Sequence, residues 1–432
     1  MPTAKQDEGL KKVIGVRSLA ANAVNLTVGA GIFALPAVVA LYLGATSFLA
    51  YIVCVLLIAM VLMCFVEAGS KIQVTGGVYA YIDAAFGPLA GFLANTLFWF
   101  GYCIMADAAV ANVLADNLAT FFPSFNEPVV RITFQAFVFG GIAILNVRGV
   151  KQGNALVEFV TLAKLLPLLV LIVVGIFFID TSNYEITTWP SIRQLGEVSL
   201  ILFFAFGGVE ASLSASGEIK DPKRTIPRGI LLGVFIIFTF YLLIQFVAQG
   251  VLGGELALQK EAPLAMVAST VLGDFGKLMI VIGAAISCFG LISGDILNTS
   301  RLPYAAARDG LLPKFLSAIH PRYATPYMAV IVYAGVGFIM SVSGGFRQLA
   351  VLASSAMLVI YIGVILATIK LRKIKPEPNA FVMPGGLTIP LLALVGTVWF
   401  LSNLAWKEII GVVSFLAFFT LVYFVMKMVK RG

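Results

Sequence analysis

Long apolar stretches separated by short polar segments run along almost the whole chain of 432 residues. An α-helix needs about 20 mostly apolar residues to cross the hydrocarbon core of a bilayer, and stretches of this kind recur throughout. The pattern therefore predicts an all-α integral membrane protein with twelve transmembrane helices. We place these spans at residues 17–43, 46–70, 88–120, 129–147, 153–179, 196–218, 228–252, 273–302, 326–342, 345–370, 387–404 and 408–428.

Glycines interrupt two of the predicted spans near their middle. Gly29-Ala30-Gly31 cuts the first span, and Gly207-Gly208 cuts the sixth. Inside a membrane, backbone N–H and C=O groups freed by such a break are tolerated where they face a cavity, and paired breaks are typical of secondary transporters. Glycines that only permit close helix packing are the alternative explanation. The matching positions favour a solute carrier.

The two breaks also divide the chain into two comparable blocks. Spans one to five and spans six to ten each begin with a broken helix, and an odd number of spans gives the two blocks opposite orientations. This arrangement predicts an inverted repeat within a single transmembrane domain. Its parts would be a first repeat at 13–180, a second repeat at 193–373 and two last helices at 384–432.

Composition agrees with this interpretation. Hydrophobic residues make up 60% of the chain, charged residues only 12%, and the mean hydropathy is +1.01. These values exclude an ordinary soluble domain. Residues Met1 to Arg17 are polar and run directly into the first span, so we expect no cleavable signal peptide.

The positive charges indicate how the chain is oriented. Most of its 29 Lys and Arg residues fall in loops on the same side as the N-terminus, which the positive-inside rule places in the cytoplasm together with the C-terminus. The net charge of +8 is thus explained by membrane topology and not by binding to nucleic acid. We expect the basic cluster at 370–375 to contact anionic lipid headgroups.

Few residues offer catalytic or metal-binding chemistry. The single histidine, His320, lies in a predicted loop, and the four cysteines lie within spans without metal-ligand spacing. The sequence also has no Walker-type phosphate loop. We therefore expect no enzyme, no metal and no cofactor. Because no cysteine falls in a predicted outer loop, we expect no disulfide-linked heavy subunit.

Three motifs, in this order along the chain, resemble those of the amino acid–polyamine–organocation (APC) transporters. They are Val28 to Phe33 in span one, Phe204 to Glu210 with Gly217 to Pro227 around span six, and Ala305 to Gly310 after span eight. The resemblance covers nearly the whole chain. It implies a LeuT-like 5+5 inverted repeat with broken helices 1 and 6. It also implies transport of amino acids across the cytoplasmic membrane by alternating access.

The resemblance further implies that the backbone groups of an amino acid bind at the two breaks. N–H groups at the start of the second half of span one would face the carboxylate at a positive helix end. Carbonyls of span six and a threonine of span one would accept hydrogen bonds from the ammonium, and an aromatic ring would cover the substrate. For that ring, simple packing is the alternative. The assigned residues are Thr27, Gly29, Ala30, Gly31, Phe204, Ala205 and Gly207.

Two charged residues within spans are assigned to coupling. Lys164, in span five, resembles the lysine of proton-coupled and exchanging family members, whose amine replaces a sodium ion. If burial lets Lys164 release its proton, it would couple transport to protons; if it stays charged, it would brace span one, and transport would be exchange. A lysine that reaches the membrane boundary is a third explanation. Glu210 is either a proton relay or a structural hydrogen-bond acceptor.

Asp107 and Asp295 lie on spans three and eight, which line the side-chain end of the pocket in this family. They would neutralise a cationic substrate such as lysine, arginine, ornithine or a polyamine. Alternatively, local groups such as Asn298 or Lys164 satisfy both carboxylates. We expect proton symport of amino acids, with exchange or the transport of cationic amino acids or polyamines as alternatives.

Overall fold

The computed structural model describes residues 14–72, 78–148, 154–374 and 381–429. Within these ranges the chain forms helices and no strand, apart from an isolated bridge between Ile14 and Ile219. The α-helices are α1 (Val16–Thr27), α2 (Ala30–Leu43), α3 (Phe48–Lys71), α4 (Val78–Phe86), α5 (Pro88–Thr96), α6 (Met105–Ala119), α7 (Pro128–Val147), α8 (Asn154–Gly175), α9 (Ile192–Phe203), α10 (Pro222–Leu252), α11 (Pro263–Thr299), α12 (Arg301–Arg308), α13 (Tyr327–Ser343), α14 (Phe346–Ile374), α15 (Thr388–Ser402) and α16 (Trp406–Val429).

The helices confirm a multi-pass membrane protein. In the described ranges, eight helical segments are long and apolar enough to cross a membrane, or nine if the bent pair α1 and α2 forms one span. The other three predicted spans fall on shorter apolar helices at Leu162–Phe178, Tyr327–Ser343 and Thr388–Ser402. The count of twelve, the inverted repeat and the division at 13–180, 193–373 and 384–432 remain predictions. Residues 13 and 430–432 lie outside the described ranges.

Both predicted helix breaks are present. Helix α1 ends at Thr27, α2 begins at Ala30, and the two axes differ in direction by 59°. After α9, two 3₁₀ segments at Phe204–Phe206 and Val209–Glu218 replace the α-helix. Gly208, between them, has a φ of 110°, a conformation that L side chains rarely adopt. Glycine is required here by the backbone itself.

The two broken segments touch each other at their glycines. A Cβ atom added at Gly31 would lie 2.8 Å from the Cα of Ala205, and one at Gly208 would lie 2.5 Å from the carbonyl oxygen of Leu26. Both distances are shorter than a carbon atom tolerates, so these approaches exist only because the side chains are absent. The two breaks therefore face each other in the interior of the protein.

Other helices surround the breaks and supply side chains to them. Helix α10 packs along α1, α8 packs along α11, and α6 packs between α11 and α14. A π-helical stretch at Leu97–Ile104 joins α5 to α6, and such wide turns commonly re-aim side chains at functional sites. By contrast, only 6% of the most apolar 18-residue stretch of α16 is buried inside the protein, as expected of a helix that faces lipid.

Candidate functional site

The carbonyls freed at the break of span one are bound by side chains of other helices. The Tyr241 hydroxyl of α10 shares its one proton between the carbonyl of Thr27, at 3.1 Å, and that of Ala205, at 2.9 Å. The Ser287 hydroxyl of α11 donates to the carbonyl of Val28 at 3.3 Å. Because Tyr241 reaches both broken segments, one buried phenol fixes the distance between them.

Lys164 of α8 lies against the same break. Its ammonium donates a hydrogen bond to the backbone carbonyl of Asn25, and the residue is only 3% exposed. The structure thus buries Lys164 against span one. Within the described part of the chain, no carboxylate forms an ion pair with it. Among the described residues, the ammonium is therefore stabilised by a backbone dipole.

The start of α2 offers backbone donors to this space. Ala30 is the first helical residue after Gly29, and the first four N–H groups of an α-helix lack acceptors within the helix. Together they form a site that attracts anions. The hydroxyl oxygen of Thr27 is buried and finds no hydrogen-bond partner among the described residues. Donors and a hydroxyl therefore meet at the break without protein partners.

Aromatic side chains cover one side of the breaks. Phe204 is 8% exposed, and its ring lies edge-on to that of Phe346, with centroids 5.6 Å apart. Next to it, the Arg347 guanidinium donates to the Tyr42 hydroxyl at 2.8 Å and lies over the Tyr42 ring. These contacts join the ends of α2 and α9 to the start of α14.

Partly exposed residues lie on the other side of the breaks, towards the start of α1. They include Asn25 and Leu26 of α1, Gly208, and Asp295 of α11. Residues of the same segments on the covered side, such as Phe33, are buried.

Glu210 acts as a hydrogen-bond acceptor within the sixth segment. One carboxylate oxygen accepts from the N–H of Gly208 at 3.0 Å, and the other accepts from the Tyr361 hydroxyl at 3.3 Å. Glu210 is 1% exposed. These contacts are those expected of a structural acceptor that holds the break, and a role in proton relay remains a prediction.

Asp107 and Asp295 are brought together from α6 and α11. Their carboxyl groups lie close enough to influence each other, and the Tyr333 hydroxyl donates to one oxygen of Asp107 at 3.0 Å. Lys164 binds Asn25 instead of either aspartate, and Asn298 is exposed. Whether local polar groups satisfy these carboxyls or a substrate meets them stays a prediction.

Sequence reasoning missed the tyrosines that organise the site. The hydroxyls of Tyr241, Tyr333 and Tyr361 donate hydrogen bonds to a carbonyl at the breaks, to Asp107 and to Glu210. The Tyr102 hydroxyl packs against Gly207, since a Cβ atom added there would lie 2.2 Å from its oxygen. A signal was available, because a phenol hydroxyl buried in an apolar span needs a polar partner. The identity of that partner could not be read from the pattern of spans.

A second buried polar cluster lies away from the breaks. The Glu67 carboxylate of α3 accepts two hydrogen bonds from Arg372 of α14, at 2.7 and 2.6 Å. It also accepts from Lys71 and from the N–H of Met383, both at 3.1 Å. Arg372, which belongs to the basic cluster expected at lipid headgroups, is thus bound inside the protein. We call these four residues the Glu67 cluster.

Known proteins resemble the chain over nearly its full length. A family model described as amino acid permease matches residues 14–429. The serine/threonine exchanger SteT of Bacillus subtilis is 26% identical over 92% of this chain and 92% of its own. The branched-chain amino acid permease BcaP of the same organism is 25% identical over 97% and 93%. The Asc-type amino acid transporter 1 of Mus musculus is 30% identical over 91% and 76%.

Proposed function

The chain belongs to the amino acid permease family of the APC transporters, and we propose that it transports amino acids by proton-coupled alternating access. The observation that carries this proposal is the arrangement of two broken segments in contact, with Lys164 bound to the carbonyl of Asn25. The family and the relatives are transporters and not enzymes. The protein works in the cell membrane, with both termini in the cytoplasm.

The substrate binds by its backbone groups at the breaks. Its carboxylate is held by the N–H groups at the start of α2, near Gly29 to Gly31, where the helix end is positive. Its ammonium binds the unpartnered Thr27 hydroxyl and the carbonyls of the Phe204–Phe206 turn. No charged side chain is required for either contact.

Transport alternates access between the two sides of the breaks. In the proposed orientation, Phe204 and Phe346 lie on the outer side of the breaks, and the partly exposed Asn25 and Gly208 lie on the cytoplasmic side. We propose that this arrangement is an inward-facing state. Opening the outer side requires the Arg347 to Tyr42 contact to separate.

Proton coupling is assigned to Lys164. Among the described residues, its ammonium donates to a backbone carbonyl, so a neutral amine and an ammonium can both be held there, the former at no cost in unpaired charge. Movement of α1 during the cycle changes this contact directly. Loading and release of the proton are thereby linked to the opening of the site.

Replacing Lys164 by alanine is expected to abolish proton-driven accumulation and its pH dependence. The measurement is uptake of radiolabelled amino acid into proteoliposomes with and without an inward proton gradient. Lys277→Ala is the matched control, because the Lys277 ammonium also donates to a backbone carbonyl, that of Thr120, at 3.0 Å, but far from the breaks. Unchanged pH dependence in Lys164→Ala would contradict the assignment.

Exchange is the second candidate mechanism, and the named exchanger SteT among the relatives favours it. In that mechanism Lys164 keeps its charge and braces α1 against α8. Uptake of alanine and arginine into empty and amino-acid-loaded proteoliposomes separates the two mechanisms. Symport predicts gradient-driven uptake into empty vesicles, and exchange predicts uptake only into loaded ones. The purified chain alone should suffice, since its four cysteines are buried and none is placed to link a heavy subunit.

A further inference from the structure

We propose that Asn112 is a positioning residue for transport: it anchors the turn between α13 and α14, and through this turn it holds the side chains that cover one side of the breaks. The proposal rests on the function proposed above, since it names a residue that governs the opening of the same site. Its starting observation is that the Asn112 side chain, on α6, donates hydrogen bonds to two backbone carbonyls at the end of α13.

The amide nitrogen of Asn112 reaches the end of α13. Its two hydrogens are shared among the carbonyls of Ala108 on its own helix, at 3.0 Å, Ser341, at 3.1 Å, and Gly344, at 3.2 Å. The last four carbonyls of an α-helix have no partner within that helix, and α13 ends at Ser343. Asn112 therefore supplies donors that the end of α13 lacks, and it ties this end to α6.

The oxygen of the same amide is held from α7. It accepts a hydrogen bond from the Arg131 guanidinium at 2.8 Å and another from the Gln135 amide at 3.3 Å. Arg131 also pairs with Asp116, one turn beyond Asn112 on α6, at 2.6 Å. Asn112 is 3% exposed, so its hydrogen bonds are shielded from water. Because donors meet its oxygen and carbonyls meet its nitrogen, the side chain cannot rotate without breaking bonds to both α7 and α13.

The anchored turn determines where one half of the cover lies. Gly344 is two residues before Phe346, whose ring lies edge-on to that of Phe204. The next residue, Arg347, donates to the Tyr42 hydroxyl. Phe346 and Arg347 thus follow the anchored turn, whereas Phe204 and Tyr42 belong to the two broken segments. When the covered side opens, the anchored turn keeps its half in place while the broken segments move away from it.

Distances between spin labels on the two halves of the cover test the proposal directly. Labels at Leu41 and Gln348, both exposed, report the separation of α2 from the start of α14, and the four native cysteines are buried. In Asn112→Ala the turn loses its anchor, and we expect the distance distribution to broaden and to shift to longer distances. Asn112→Asp should have the same effect, because its carboxylate still accepts from Arg131 but has no hydrogen to donate to the two carbonyls.

Asn117→Ala is the matched control. Asn117 is also buried on α6, at 1% exposed, but its amide donates to the Val113 carbonyl of its own helix, at 2.9 Å. We expect the wild-type distance distribution in this variant. Equal changes in Asn117→Ala and Asn112→Ala would overturn the proposal, because they would indicate a general loosening of α6. An unchanged distribution in Asn112→Asp, which keeps the shape of the side chain, would overturn it as well, whether or not Asn112→Ala folds.

Uptake into proteoliposomes separates this inference from the proposed function. We expect Asn112→Asp to lower the maximal rate of alanine uptake about tenfold, as the loss of hydrogen bonds to buried carbonyls predicts, and to change the half-maximal concentration by less than about twofold, because the residues at the breaks are intact. Uptake at the wild-type rate by Asn112→Asp would overturn this inference alone. A wild-type protein that transports no amino acid would overturn the proposed function, whereas the distance measurement would still decide whether Asn112 holds the cover.

Discussion

Replacing Gly208 by alanine is expected to abolish amino acid uptake. Gly208 has a φ of 110°, which costs an alanine of order 1–3 kcal/mol, and the added Cβ atom would lie 2.5 Å from the Leu26 carbonyl oxygen. That oxygen belongs to the backbone, so relief requires the two broken segments to separate. A displacement of about 1 Å at a substrate site can reduce rates roughly 100-fold.

The measurement is initial uptake in proteoliposomes, with size-exclusion chromatography to establish that the variant is folded. Gly140→Ala is the control, because a Cβ atom at Gly140, on α7, would meet nothing within 4 Å. We expect Gly140→Ala to transport at the wild-type rate. If Gly208→Ala does so as well, the contact between Gly208 and Leu26 is not needed in the transport cycle.

Replacing Glu67 by alanine is expected to destabilise the protein by about 3–5 kcal/mol, since removal of one partner leaves the others buried and unpaired. Glu67 is fully buried, Lys71 is 4% exposed and Arg372 is 18% exposed. The Met383 N–H also loses its acceptor. The Glu67 cluster joins α3 to α14 and to the segment before α15, so its loss loosens three elements together.

Denaturant titration of the solubilised protein measures the difference in unfolding free energy. Glu197→Ala breaks an exposed pair with Arg193, at 2.9 Å, and is expected to cost less than about 1 kcal/mol. Adding Arg372→Met to Glu67→Ala should recover part of the loss, because the unpaired charge is then removed as well. A loss for Glu67→Ala no larger than for Glu197→Ala would show that the cluster contributes little to stability.

Local patterns in the sequence were sufficient to predict a helical membrane protein and to locate the two breaks. Bilayer thickness sets the length of a membrane-spanning helix, so spans can be recognised as apolar stretches of that length in the sequence. The interruption at Gly207-Gly208 was readable because Gly208 adopts a φ that other residues avoid. The predicted family is likewise confirmed by the match over residues 14–429. Each of these properties depends on residues that are neighbours in the chain.

Partners between helices could not be predicted in the same way. Arg372 was assigned to lipid headgroups because basic residues cluster at the end of its span, yet it binds Glu67, 305 residues away in sequence. Tyr241 was not singled out, although it joins both breaks. In a membrane protein, surfaces that face lipid and surfaces that face protein are both apolar. The spacing of apolar residues therefore does not indicate which group on another helix a side chain contacts.

The sequence by itself determined that this chain is a helical membrane transporter with two broken spans, because bilayer thickness and backbone hydrogen bonding restrict what such a pattern can form. Only the tertiary structure decided that Lys164 binds the carbonyl of Asn25 and that Asp107 lies close to Asp295. Those contacts depend on how helices rotate and cross, which is set by packing at glycines such as Gly31 and not by hydrophobicity along each span.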